Sequence, residues 1–92
     1  MIIYLLRNRV NGKGYVGLTV RSLEQRWKEH CKGNQAVDLA IKKYGLDNFE
    51  RCILAEATSL PELNDLETFH IIAQGTLSPN GYNPTQEVLA TR

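Results

Sequence analysis

Asn11-Gly12 stands between two short stretches rich in branched and aromatic residues, 2–8 and 14–19. Both turn residues tolerate a positive φ, which makes the pair a strong hairpin signal. The start of the chain is thereby committed to two antiparallel strands. If Asn11-Gly12 formed a simple two-residue turn, residue 8 would face residue 15 across the ladder.

Helix signals follow. Ser22-Leu23-Glu24-Gln25 has the form of a capping box, with Ser at the N-cap and Gln three residues on. It predicts a helix from about Leu23 to Lys32, ended by Gly33. Leu23, Trp27 and Cys31 fall at i, i+4 and i+8 and mark its apolar stripe. A second helix is expected over about Gln35 to Tyr44, with Val37, Ala40, Ile41 and Tyr44 on its apolar side and Gly45 closing it. Residues 49–55 read as a third strand, whose apolar content predicts central or semi-central burial. Ser59-Leu60-Pro61-Glu62 repeats the capping box, with Pro61 in a first turn where its missing N–H costs nothing. That helix should run to about Gln74 and end at Gly75, before the Gly, Ser, Pro and Asn of residues 75–84. The order ββ-α-α-β-α implies an α+β fold, a small three-stranded antiparallel sheet flanked by helices. Residues 1–84 are expected to form the domain and 85–92 a loosely held tail with little apolar content.

At 92 residues the chain has room for one core and one site. No apolar run approaches the roughly 18 residues of a membrane span. Ile2-Ile3-Tyr4-Leu5-Leu6 is too short for a signal peptide, so a cytoplasmic location is the default expectation. Cys31 and Cys52 form no metal-ligand cluster and read as simple thiols. The net charge of +1 hides an asymmetry. Residues 1–32 hold seven basic and two acidic residues, a surplus of +5, while residues 33–92 carry −4. A basic N-terminal third suits a polyanion, although a solvated basic surface without a partner explains the charge equally well.

Several residues carry chemistry in an ordered set. Ile2-Ile3-Tyr4 lies in the first strand and Tyr15-Val16-Gly17 in the second. Arg26 and His30 are four apart and so project from one face of the first helix, about 100° from the Leu23/Trp27 stripe. That face should border the core without being enclosed by it. Glu67 lies in the last helix, and Asn80-Gly81-Tyr82-Asn83 closes the set. Together these segments resemble the GIY-YIG nuclease family, which includes homing endonucleases, some restriction enzymes and repair nucleases. The resemblance covers nearly the whole chain. Ile2 replaces the glycine of the first motif and Val16 the isoleucine of the second.

The resemblance implies a metal-dependent endonuclease acting on DNA, with Mg²⁺ or another divalent cation such as Mn²⁺. It places Tyr4, with Tyr15 as partner, beside the attacking water. Arg26 would hold the phosphate, His30 accept a proton, Glu67 bind the metal and Asn83 orient the site. A permanent forked cation suits a phosphate oxygen, and an imidazole titrates near neutrality. One carboxylate with waters suffices for Mg²⁺.

Each residue has an ordinary reading when taken alone: sheet tyrosines, a surface Arg–His pair, a helical glutamate, a turn asparagine. Glu62 is a rival acid already explained by capping, and His70, three after Glu67, reads as packing or a neighbour of the site. Gln35 or Lys42 is the further polar residue after the first helix. A non-catalytic DNA-binding module that keeps the fold is the alternative, and a protein-interaction domain is a third option. A homodimer is plausible on duplex DNA, since one site cuts one strand at a time.

One geometric requirement follows. Opposite residues share a sheet face, so Tyr4 and Tyr15 point the same way. The simple turn would still leave them four residues apart on the ladder, about 13 Å. A shared site requires the register to shift by two or four residues, through a longer or bulged connection.

Overall fold

The computed structural model describes residues 1–84; the tail expected at 85–92 lies outside them. Strands β1 (Ile2–Asn8), β2 (Gly14–Thr19) and β3 (Phe49–Glu56) alternate with helices α1 (Leu23–Lys32), α2 (Ala36–Tyr44) and α3 (Leu60–Gln74) in the order ββ-α-α-β-α. A 3-10 turn, Leu46–Asn48, leads into β3. The sheet is antiparallel in the order β2-β1-β3. The fold is therefore α+β, with the expected three-stranded sheet flanked by helices.

The central strand is β1, not β3. Tyr4 and Leu6 point to one face, where Val37, Ala40 and Ile41 of α2 cover them and Leu23, Trp27 and Cys31 of α1 pack at the margin. Ile3 and Leu5 point to the other, against Leu63 and Ile71 of α3. A strand sandwiched in this way needs apolar residues on both faces. Residues 49–55 carry apolar residues too, but among the described residues β3 pairs on one side only, and Ile53 is exposed. The expectation of central burial fails because composition reports what a strand can bury, whereas sheet order decides what it does bury.

The hairpin departs from the simplest register. Tyr4 faces Gly17 and Leu6 faces Tyr15, a shift of two residues. Among the described residues positive φ is confined to glycines, so Asn11 does not adopt it while Gly12 does, at 77°. A two-residue type I′ turn needs it at both positions. Instead Gly12 donates its N–H to the Asn8 carbonyl and Asn8 to the Lys13 carbonyl, closing a four-residue loop. The Asn8 and Asn11 side chains accept N–H bonds from Val10 and Lys13, two residues on. These local Asx bonds favour the longer loop. On its other side β1 has a bulge between Ile3 and Tyr4 in its pairing with β3.

The final loop straps this hairpin down. Tyr82 donates its N–H to the Gly14 carbonyl, and its hydroxyl accepts from Asn8 and Asn11. The wholly buried Asn83 side chain accepts the Val16 N–H and the Thr76 hydroxyl and donates to the Val16 carbonyl. Gly81 is required here, since a Cβ would lie 2.4 Å from the Thr76 carbonyl oxygen.

Asn83→Ala leaves both backbone groups of Val16 without these partners in a buried place. Each such group costs roughly 1–3 kcal/mol. A loss on the order of 3 kcal/mol is expected, which for a domain of this size lowers the melting temperature by more than about 10 °C. Thermal denaturation checks it.

Candidate active site

Four sequence-predicted residues, Tyr4, Tyr15, Arg26 and His30, converge on the face of the sheet that α1 and α2 cover. The two-residue register shift makes Tyr4 and Tyr15 diagonal neighbours, the pairing that lets long side chains meet. Their ring centroids are 6.4 Å apart. Gly17 explains how Tyr4 lies where it does. A Cβ on Gly17 would sit 2.4 Å from the Tyr4 hydroxyl and 2.8 Å from the Tyr15 ring. The glycine of Tyr15-Val16-Gly17 is thus the floor across which Tyr4 extends.

From α1 the His30 ring meets both tyrosines edge-on, with centroids 5.8 Å from Tyr4 and 5.5 Å from Tyr15. The Tyr4 hydroxyl and His30 Nε2 are hydrogen-bonded at 2.7 Å. Helical spacing brings Arg26 to the same spot, where its guanidinium lies beside the Tyr4 hydroxyl. The expectation that this face only borders the core holds for Arg26, whose side chain is 24% exposed. It fails for His30, which is 1% exposed and the most deeply buried residue of α1. The reason is that α2 closes over it.

Asp38 of α2, which sequence reading passed over, is also buried. Its Oδ1 is 2.5 Å from His30 Nδ1, and its Oδ2 accepts the Gln35 N–H at 3.0 Å. Gln35 and Lys42 do other work. The Tyr15 hydroxyl donates to Gln35 at 3.4 Å, and Lys42 donates to the Gly33 carbonyl. A signal for Asp38 did exist: it lies one residue after Val37 on a helix whose Val37, Ala40 and Ile41 are core. A carboxylate on that side is buried and must find a partner.

Glu67 is half-buried. It falls midway between Leu63 and Ile71 at i+4 spacing, so a carboxylate shares the core-facing stripe of α3. Its charge reaches Tyr4 and opposes ionisation of that hydroxyl. Asn83 does not join these groups. It grips Val16, between Tyr15 and Gly17, and so acts on the site through the backbone. His70 stacks edge-on against Phe69, with ring centroids 5.1 Å apart. Among the described residues no three His, Cys, Asp or Glu side chains gather into a metal-binding group. A single glutamate is nevertheless an adequate protein ligand for a hydrated Mg²⁺.

The electrostatics follow from burial. The Tyr4 pKa is pushed up to about 12, chiefly by desolvation, against the pull of Arg26. Burial also lowers the His30 pKa, a fall only partly opposed by the hydrogen bond to Asp38, and Arg26 depresses it further. His30 is therefore neutral at pH 7. Arg26 is held by Glu29 at 3.0 Å, and Glu29 also pairs with Arg21 at 2.6 Å.

Two outcomes are expected. Gly17→Ala displaces the Tyr4 hydroxyl from His30 and destabilises the fold by roughly 1–3 kcal/mol through overpacking. Denaturation and the His30 ring ¹⁵N shifts would report both effects. Second, folded His30 resists protonation more than unfolded His, whose pKa is about 6.5. The unfolded chain then binds more protons in acid, so stability falls as pH drops through about 6.5 and below. Urea midpoints at pH 7.5 and 5.5 should differ less in His30→Gln than in the wild type.

Comparison with known proteins agrees with this geometry. The family described as the GIY-YIG catalytic domain matches residues 1–83. A protein of Enterobacteria phage T4 named "Putative endonuclease segE" is 35% identical, over 88% of this chain and 38% of its own length. "Putative MSV199 domain-containing protein 146R" of Invertebrate iridescent virus 6 is 34% identical, over 83% of this chain and 34% of its own. The chain thus spans little more than a third of these relatives. Two solved structures of the catalytic domain of the homing endonuclease I-TevI, 30% identical, superpose with TM-scores of 0.73 and 0.72. Both cover 88% of this chain, and the matches extend over 89% and 94% of theirs. The chain belongs to the GIY-YIG catalytic-domain family.

Proposed function

We propose that this domain hydrolyses DNA phosphodiester bonds with the help of a divalent cation, Mg²⁺ or Mn²⁺. The observation that carries the reading is the convergence on one hydroxyl. Tyr4 bonds to a neutral, buried imidazole, has a guanidinium beside it, and lies within reach of the Glu67 charge.

A phenol with a pKa near 12 does not ionise by itself at pH 7. It can still relay a proton. As water attacks phosphorus, its proton passes to Tyr4 Oη while the tyrosine proton passes to His30 Nε2. Tyr15, edge-on to His30, bounds the same space and orients the water. Arg26 offers two parallel N–H groups to the phosphate oxygens as charge builds on them. In the free protein Tyr4 is wholly buried and Arg26 rests on Glu29. A phosphate that draws Arg26 away from Glu29 would open a path for water to Tyr4. Glu67 would hold the cation, which supplies neutralisation of the phosphate charge. One such site cuts one strand, so cleavage of both strands calls for a second copy or a second encounter.

The test is cleavage of supercoiled, linear, nicked and branched DNA with Mg²⁺, Mn²⁺ or EDTA. Metal-dependent cleavage is expected in the wild type. Loss of one group that stabilises transition-state charge typically costs about 10²–10³-fold, the fall expected for both Arg26→Ala and Glu67→Ala. Undiminished cleavage by both variants overturns the assignment. Salt-sensitive DNA binding by a wild type that never cleaves would instead identify a binding module on the nuclease fold.

A further inference from the structure

We propose that Asp38 is a positioning residue: its carboxylate holds the His30 imidazole protonated on Nδ1, so that Nε2 is left to take the proton of the Tyr4 hydroxyl. The catalytic meaning of this assignment rests on the nuclease reading above, but the placement of the proton does not.

An ionised carboxylate only accepts hydrogen bonds. The contact between Asp38 Oδ1 and His30 Nδ1 therefore requires the proton on Nδ1. In a neutral ring Nε2 must then be the acceptor, and Tyr4, 2.7 Å away, must be the donor. One carboxylate thus sets the direction of the whole chain, Tyr4 to His30 to Asp38. With the other tautomer Nε2 would carry a proton and could take none from Tyr4.

Capping alone does not account for this aspartate. Oδ2 already accepts the Gln35 N–H at the start of α2. A cap needs only that oxygen and is usually exposed, yet Asp38 is 3% exposed and its other oxygen is on the imidazole. Gly33, just after α1, makes room for it. A Cβ there would lie 2.1 Å from Asp38 Oδ2, so any side chain would displace the carboxylate. The charged and titratable groups facing the dyad are Arg26 and Glu29 of α1, Tyr4 of β1 and Tyr15 of β2, with the Glu67 charge reaching Tyr4 from α3.

The balance of the step is simple. An O–H bond of water breaks and its oxygen bonds to phosphorus. The water proton moves to Tyr4 Oη, the tyrosine proton forms an N–H bond at His30 Nε2, and the P–O bond to the leaving oxygen breaks. That oxygen takes a proton from solvent. The imidazolium so formed lies against the Asp38 carboxylate, so the imidazole base is oriented and stabilised by a third group.

The test is Asp38→Asn, which keeps the volume and a cap acceptor. In ¹⁵N NMR spectra the wild-type His30 should carry its proton on Nδ1, and the variant should shift toward Nε2. Single-turnover DNA cleavage should fall on the order of 10²–10⁴-fold, the scale expected when a catalytic imidazole loses its orienting carboxylate. Affinity for uncleaved DNA in Ca²⁺ should stay within about twofold of the wild type, an order-of-magnitude allowance for a group that touches no substrate. The acid limb of the rate–pH profile should move to lower pH, since the imidazolium loses its carboxylate. Gly33→Ala, which crowds the carboxylate without removing it, should change the tautomer in the same direction and covers the case in which Asp38→Asn does not fold. A wild-type His30 protonated on Nε2, or a folded Asp38→Asn that cleaves at the wild-type rate, overturns the proposal. A wild type with the Nδ1 tautomer that cleaves no DNA would count against the nuclease reading and leave the proton placement standing.

Discussion

The pairing of Tyr4 with Gly17 is the constraint on which the rest of the site depends. It places Tyr4 across a position that has no side chain, with its hydroxyl where any Cβ would be. It makes Tyr15 a diagonal neighbour on the same face. A register slip of one residue would send one tyrosine through the sheet, and the simple turn would hold the two about 13 Å apart. The groups that maintain this register are therefore part of the site although they touch none of its chemistry. They are the Asx bonds of Asn8 and Asn11, and the strap formed by Tyr82 and Asn83.

Burial gives this pairing its chemical effect. Tyr4 and His30 are both shut away from water, which disfavours ionisation of the phenol and of the imidazole alike. Two neutral groups share one proton between Oη and Nε2, with opposite charges on either side: the partly exposed Arg26 beside the phenol and the buried Asp38 behind the imidazole. Such a network is tolerated only when its members are satisfied, because an unpaired polar group in a poorly polarisable interior is costly. The helix ends contribute to that satisfaction. The cap of α2 and the orientation of His30 are supplied by the two oxygens of one aspartate.

Much of this is legible in the sequence. N-caps at Ser22 and Ser59 and glycines at 33, 45 and 75 bound the helices, because a cap satisfies its backbone groups locally. Parity placed Tyr4 and Tyr15 on one face, and helical spacing placed Arg26 with His30. The need for a shifted hairpin was itself legible, as a conflict between the Asn11-Gly12 signal and a shared site. Strand order was not, since β1 and β3 have similar composition and differ in how many neighbours they acquire. Asp38 was passed over, although its place beside Val37 on a helix with a buried side marked it as a carboxylate in need of a partner.

The division is therefore between short-range and long-range physics. The sequence alone determined the elements, their faces and the chemical types available on each, since these follow from the 3.6 and 2.0 residue periods and from contacts within a few residues. Only the tertiary structure decided which strand is central, that α2 closes over His30, and that Asp38 completes the chain behind the imidazole. Each of those outcomes depends on which elements pack together. No local pattern encodes that, because the same apolar stripe can be buried against more than one partner.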